Sequence, residues 1–220
     1  MVNQNLKLTI IHNNDGTFED LSFYAYDFSK DSFDLQLLTT SYLYVGYYKP
    51  INSLYFAINT ANTNSNTFTI EYYNGSSWDE LEATDDTVGL TRSGFINWDR
   101  NLTNDSLTSV DSKSKYWIRI KTSANHSATT NLQAINFVFC DDNDLKYEVP
   151  EITDINHLAG KTSHILTHVA VRNEIIQTLN NKDLKHVNQT TGLKEDLTCW
   201  DILDANQLKQ ACVYLALAKI

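Results

Sequence analysis

From Met1 to about Cys140 the apolar and polar positions alternate in short runs, as in Leu6-Lys-Leu-Thr-Ile, Ser53-Leu-Tyr-Phe-Ala-Ile, Phe68-Thr-Ile-Glu-Tyr-Tyr, Tyr116-Trp-Ile-Arg-Ile-Lys and Leu132-Gln-Ala-Ile-Asn-Phe-Val-Phe. A period of two sends successive side chains to opposite faces, which is the pattern of strands. Clusters of Asn, Asp, Gly and Ser punctuate the runs, and no helical pattern separates them. Many short strands without intervening helices predict an antiparallel, jelly-roll-like β-sandwich rather than a parallel α/β sheet. Within it, Asn74-Gly75 predicts a tight two-residue hairpin turn with both residues at positive φ.

The texture changes after Cys140. Asp141, Asp142 and Asp144, then Tyr147-Glu-Val-Pro, read as a solvated acidic linker that ends strand character at Pro150. The predicted organisation is a β-sandwich domain over 1–148 and a small α-helical domain over 149–220. Leu158, Ile165, Val169 and Ile176 share a narrow arc at helical spacing, with Leu166 and Leu179 at its edges, which predicts a helix from Asn156 to Leu179. The polar stretch from Asn180 through Glu195 reads as a loop. Capping-box patterns at Thr198-Cys-Trp-Asp201 and Asp204-Ala-Asn-Gln207 start a last helix at Thr198 or Asp201. That helix is almost wholly apolar over Ala211–Ala218, so it is expected to be buried on all sides.

Charge and composition narrow the classes of partner. The 220 residues are 42% hydrophobic and 20% charged, which is the balance of a folded chain. A formal net charge of −10 disfavours binding to phosphate backbones or anionic membranes, so neither a nucleic acid nor a membrane is an expected partner. Three widely spaced cysteines, Cys140, Cys199 and Cys212, form neither a disulfide framework nor a zinc pattern and read as reduced core residues of a chain made in the cytoplasm. No secretory leader or bilayer-length apolar run is evident in the sequence.

Candidate chemistry is sparse. Gly160-Lys161-Thr162 has the tail of a phosphate-binding loop, but Ile155 stands where the motif needs its first glycine. His157, His164 and His168 lie on one flank of the predicted helix, and Ile165 occupies the glutamate position of a zinc protease motif, so they read as a polar helix border. The acidic run lacks the alternation and central glycine of a calcium loop. Asp79, Glu80 and Glu82 sit along one strand and read as a solvated face instead of two carboxylates facing across a cleft. No catalytic residue, metal ligand or cofactor-binding residue is assigned. Among the many aromatics, most of which alternation should place in the core, Tyr73, Trp78 and Trp98 are the candidates for a sugar-binding platform.

Two segments resemble known proteins. Tyr72-Tyr-Asn-Gly-Ser-Ser-Trp78, Gly94-Phe-Ile-Asn-Trp98 and Tyr116-Trp-Ile-Arg119 resemble β-sandwich domains of tailed-bacteriophage virion proteins. Thr198-Cys-Trp-Asp-Ile-Leu-Asp204, followed by Gln207-Leu-Lys-Gln-Ala-Cys-Val-Tyr-Leu-Ala-Leu-Ala-Lys219, resembles the closing helix of phage head–tail connector, or neck adaptor, proteins. The resemblance implies a non-enzymatic structural protein of the virion, assembled in the host cytoplasm as a ring between portal and tail. Its partners would be copies of itself and portal, tail or neck proteins, met through Trp200, Leu208, Val213, Tyr214 and Leu217. The large sandwich departs from the short, mostly helical pattern of such connectors. A carbohydrate-binding module that adsorbs to host glycans is the alternative.

Overall fold

Alternation in the first part of the chain becomes β1 (Thr9–Asn14), β2 (Thr17–Asp20), β3 (Phe33–Asp34), β4 (Tyr42–Tyr47), β5 (Ser53–Thr60), β6 (Phe68–Tyr73), β7 (Trp78–Leu81), β8 (Ala83–Asp85), β9 (Gly94–Trp98), β10 (Leu107–Val110), β11 (Lys113–Thr122) and β12 (Asn131–Asn136). The structure, a computed structural model, describes residues 8–25, 32–99, 104–154, 158, 163–187, 192–202 and 206–220, with only the backbone of Ala25 and Trp200. Two compact units divide between Asn136 and Phe137, so Pro150 lies well inside the second.

The first unit is an antiparallel β-sandwich. One sheet has seven strands in the order β2-β1-β4-β11-β6-β7, with β10 also paired to β11; the other runs β3-β12-β5-β9-β8. The chain crosses between sheets from β4 to β5, β5 to β6 and β11 to β12, which gives the wrapped connectivity of a jelly roll. Register aligns Ile10 with Val45, Val45 with Ile118, and Ile120 with both Leu43 and Ile70. All of these are buried. Each such side chain contributes roughly 1.5–3 kcal/mol when removed from water.

Turn chemistry departs from expectation at Asn74. The β6–β7 loop spans four residues, and within it only Gly75 takes a positive φ, +101°. The Asn74 side-chain oxygen accepts from the amides of Ser76 and Ser77, both at 2.8 Å, and this side-chain staple replaces the two-residue turn. Two-residue turns with both residues at positive φ instead close β1–β2 at Asp15-Gly16 (51° and 89°) and β10–β11 at Asp111-Ser112 (47° and 62°).

The second unit contains α1 (Asp142–Glu148), α2 (Ile165–Asn181), α3 (Asn206–Leu217) and a hairpin of β13 (Lys185–Val187) with β14 (Lys194–Asp196). Its core gathers Phe137, Phe139, Cys140, Leu145, Ile152, Val171, Ile175, Cys212, Val213 and Ala216. Several expectations are corrected here. The acidic run is no linker: Asp141 caps α1, its carboxylate accepting from the Asp144 amide at 2.9 Å while that of Asp144 accepts from the Asp141 amide at 3.0 Å. Such a box offsets orphan amides at a helix start, worth about 1 kcal/mol. The stretch read as a loop holds the β13–β14 hairpin. Thr198–Asp201 caps a separate 3₁₀ turn, with the Asp201 carboxylate accepting from the Thr198 amide at 2.7 Å, and the last helix starts later, at Asn206. Asp204 lies outside the described residues.

The buried stripe of α2 is also rotated from its predicted arc. Ile165, His168, Val171, Arg172 and Ile175 are buried, whereas Val169 and Ile176 are half-buried and Leu166 is exposed. Two polar residues enter the core face because each finds a partner: Arg172 donates from Nη1 to the Phe137 carbonyl at 2.6 Å, and His168 is held by Asp142. Of the helix predicted before Ile165, only Leu158 belongs to the described residues up to Ser163.

Candidate functional site

The outward face of the seven-stranded sheet carries a cluster of aromatic and charged side chains. Ile11, Tyr44, Arg119, Glu71 and Glu80 stand in one cross-strand row over β1, β4, β11, β6 and β7. Beside it, Trp117 pairs directly with Gly46. The pairing is compulsory, since a Cβ on Gly46 would meet Trp117 Cε3 at 2.5 Å. The indole lies across the bare strand and donates from Nε1 to the carbonyls of Thr108 and Lys113 at 3.1 and 3.2 Å.

Over this layer the Arg119 guanidinium sits between two rings, 4.7 Å from the centroid of Tyr42 and 4.6 Å from that of Trp78. Glu71 accepts from Arg119 Nε on one oxygen and from Lys121 Nζ, at 2.7 Å, on the other. Burial raises the Glu71 carboxyl, but the hydrogen bonds and charges of Arg119 and Lys121 outweigh it and hold the group below the usual carboxylate range. Tyr73 and Tyr44 both meet Trp78 edge-on at 5.6 Å. The result is a fixed, half-buried surface of aromatic edges around a cation, with polar handles at its margin.

The structure divides the predicted sugar-binding residues. It brings Tyr73 and Trp78 together, both half-buried, on this face. Trp98 is buried in the other sheet and donates from Nε1 to the Ile51 carbonyl at 2.7 Å, so it has no part in the platform. Fewer aromatics face the core than alternation predicted: Tyr47, Tyr72 and Trp98 are buried there, Tyr44 and Trp117 are buried within the outward face, and Tyr42, Tyr48, Tyr73, Trp78 and Tyr116 are half-buried. Arg119 and Glu71, which organise the face, were not singled out by sequence; the only signal was a charged residue opposite a charged residue in neighbouring strands. Glu80 and Glu82 are exposed, and Asp79 accepts from Asn74 Nδ2 at 2.6 Å and from Ser77 Oγ at 2.9 Å as part of the turn.

In the second unit the predicted partner-facing residues also separate. Val213 is buried within the unit's own core, and Leu208 and Leu217 are half-buried against it. Tyr214 is 52% exposed. Ala211 and Ala218 are exposed too, so within the chain α3 is covered on one face only. The side chain of Trp200 lies outside the described residues. Tyr147 on α1 is 88% exposed, close to a groove of about 230 Å³ bounded by Asp144, Glu148, Lys209 and Val213. Lys209 Nζ donates to Asp144 Oδ1 at 3.0 Å and ties α3 to α1 there. On and beside the β13–β14 hairpin, Leu184, Val187 and Leu193 are exposed.

One polar cluster is interior. His168 Nε2 donates to Asp142 Oδ1 at 2.9 Å, which leaves Nδ1 as an acceptor facing Cys140 Sγ at 3.5 Å. Cys140 Sγ lies 2.7 Å from Cys212 Sγ. Both cysteines are fully buried and free. The contact with Cys212, and then burial, push the Cys140 thiol far up, so it is held as a neutral thiol. His164 is buried beside it, with Nε2 at 2.8 Å from the Ile152 carbonyl. The two histidines are core residues, which corrects their reading as a polar border; His157 and Gly160-Lys161-Thr162 lie outside the described residues. Among the described residues no group of three or more His, Cys, Asp or Glu side chains is arranged to hold a metal ion, and no helix is long and apolar enough to cross a membrane.

No family model and no curated protein matches the chain. Among solved structures, chitosan-binding module 1 from a chitosanase/glucanase of Paenibacillus sp. IK-5 is similar over 60% of this chain and 94% of its own, with 14% sequence identity and a TM-score of 0.32.

Proposed function

We propose that the chain is a structural protein of a tailed-phage virion, of the head–tail connector or neck adaptor type, and that it assembles as a ring through its second unit. The observation that carries this reading is the surface of that unit. Around a well-packed core it leaves Tyr147, Tyr214, Leu184, Val187 and Leu193 in water. Large apolar and tyrosyl side chains of this kind anchor interfaces, where they fill pockets of a partner. Repeated around a ring, such a surface on one subunit meets a different surface on the next, which closes the assembly. The net charge of −10 suits a protein beside a DNA channel, where repulsion prevents adhesion.

Native mass measurement of the purified chain tests the proposal. A closed oligomer is expected, reduced to monomer by Tyr147→Ser combined with Tyr214→Ser without loss of helical circular dichroism. A chain that stays monomeric at high concentration and is absent from virions overturns it.

The half-exposed pair of Tyr73 and Trp78 favours a second reading, adsorption to host glycans through the outward face of the sandwich. Binding on a glycan array that disappears with Trp78→Ala but survives Trp98→Phe supports that reading; silence across the array counts against it.

A further inference from the structure

We propose that Cys140 and Cys212 are a built-in oxidation site that closes to an intramolecular disulfide when the folded chain meets a peroxide, with His168 as the proton acceptor. The two sulfurs lie 2.7 Å apart although the residues are 72 positions apart in sequence, one in the segment before α1 and the other on α3. The third cysteine, Cys199, is half-buried at the edge of the same core. What distinguishes the pair is the polar relay beside it: Asp142 holds His168 in the tautomer that presents a lone pair on Nδ1 to Cys140.

The chemistry balances with hydrogen peroxide as the oxidant. Cys140 passes its proton to His168 Nδ1 and its sulfur attacks one peroxide oxygen. The O–O bond breaks, and the departing hydroxide leaves as water with that proton, giving a sulfenic acid. Cys212 sulfur then attacks the Cys140 sulfur, the S–S bond forms, and the hydroxyl leaves as a second water with the Cys212 proton. Two thiols lose two electrons, and one peroxide is reduced to two waters. On the virion reading proposed above, the reducing cytoplasm of assembly would keep the pair open, and the released particle would meet the oxidising setting in which such bonds persist. Because Cys140 is held as a thiol and is fully buried, closure is slow, and its product is a permanent staple rather than a rapid sensor.

The staple would tie α3 to the start of α1 across a long loop, and the loop-entropy argument gives a rise in melting temperature on the order of 20 °C for the unit. The test treats reduced full-length protein with hydrogen peroxide and follows thiol count, intact mass and peptide map. In parallel, the denatured, reduced chain is refolded in a glutathione redox buffer. Expected are the loss of two of the three thiols, a mass lower by about 2 Da, a linked peptide pair containing Cys140 and Cys212, and the higher melting temperature. Cys199→Ser should leave all of this unchanged. His168→Gln should slow closure about tenfold or more while the same bond forms in the refolding arm. Three thiols retained in both arms, pairing through Cys199, or oxidation to sulfinic acid without a cross-link would overturn the proposal. An unchanged rate in His168→Gln would remove the role of His168.

Discussion

His168 and Asp142 join the first turns of two helices through a single 2.9 Å hydrogen bond inside the second unit. The same Asp142 oxygen accepts from the His164 amide at 3.1 Å, so one carboxylate satisfies both a ring nitrogen and a helix-start amide. Such partners offset the desolvation of a fully buried histidine.

Replacing Asp142 by Ala should therefore cost the unit about 1–3 kcal/mol, because two buried donors lose their acceptor. Burial raises the Asp142 carboxyl, but the hydrogen bonds it accepts, first from His168 and then from Ser163 and the His164 amide, outweigh it and set the group below its ordinary value. A depressed carboxylate contributes stability that is complete above the unfolded value near 4 and is lost as pH falls toward the folded value. Chemical denaturation from pH 5 downward should show that acid slope, reduced in Asp142→Asn.

His126 in the first unit predicts a different window. It is 1% exposed, and burial pushes its ring down from 6.5 to about 4. The unfolded chain thus takes up a proton that the fold refuses, so stability is complete above pH 6.5 and falls as pH drops toward 4. The loss is on the order of 3 kcal/mol from this residue alone. Urea titrations at pH 7 and pH 4 should reveal it, and His126→Leu should flatten the difference.

Glu71 holds two cations, and its side chain is 8% exposed against 18% for Arg119 and 38% for Lys121. Glu71→Ala should destabilise the sandwich by about 2–3 kcal/mol, chiefly by leaving the Arg119 guanidinium between its rings without a counter-charge. A double-mutant cycle with Arg119→Met should return a coupling of roughly 1–2 kcal/mol, since the double variant leaves neither charge stranded. Purely additive losses would show that the pair contributes nothing as a pair.

Gly46→Ala should cost about 1–3 kcal/mol by overpacking, because the added methyl falls on the six-membered ring of Trp117. The emission of Trp117 should shift as the ring is displaced. Gly16→Ala, at φ +89° with open space around it, should cost about 1 kcal/mol from backbone strain and leave the tryptophan emission alone.

Some of this was legible residue by residue. The alternation of Ser53–Ile58, Phe68–Tyr72 and Tyr116–Lys121 became β5, β6 and β11, and the apolar run ending at Ala218 became most of α3. A period of two or of 3.6 is a local property, set by backbone geometry, and needs no knowledge of the rest of the chain.

What the sequence by itself determined, then, is the broad order of structure along the chain: a β-sandwich first and a small helical part after it. Only the tertiary structure decided which faces meet and which polar groups go inside. Arg119 and Glu71 are 48 positions apart, and His168 and Asp142 are 26 apart. Neither pair carries a local mark, because a charged or polar side chain is buried only where a distant partner restores the hydrogen bonds that water would have made. For the same reason Trp78 and Trp98 look alike in sequence yet lie on a half-open face and in a closed core, and the nearness of Cys140 to Cys212 appears only when α3 is folded back.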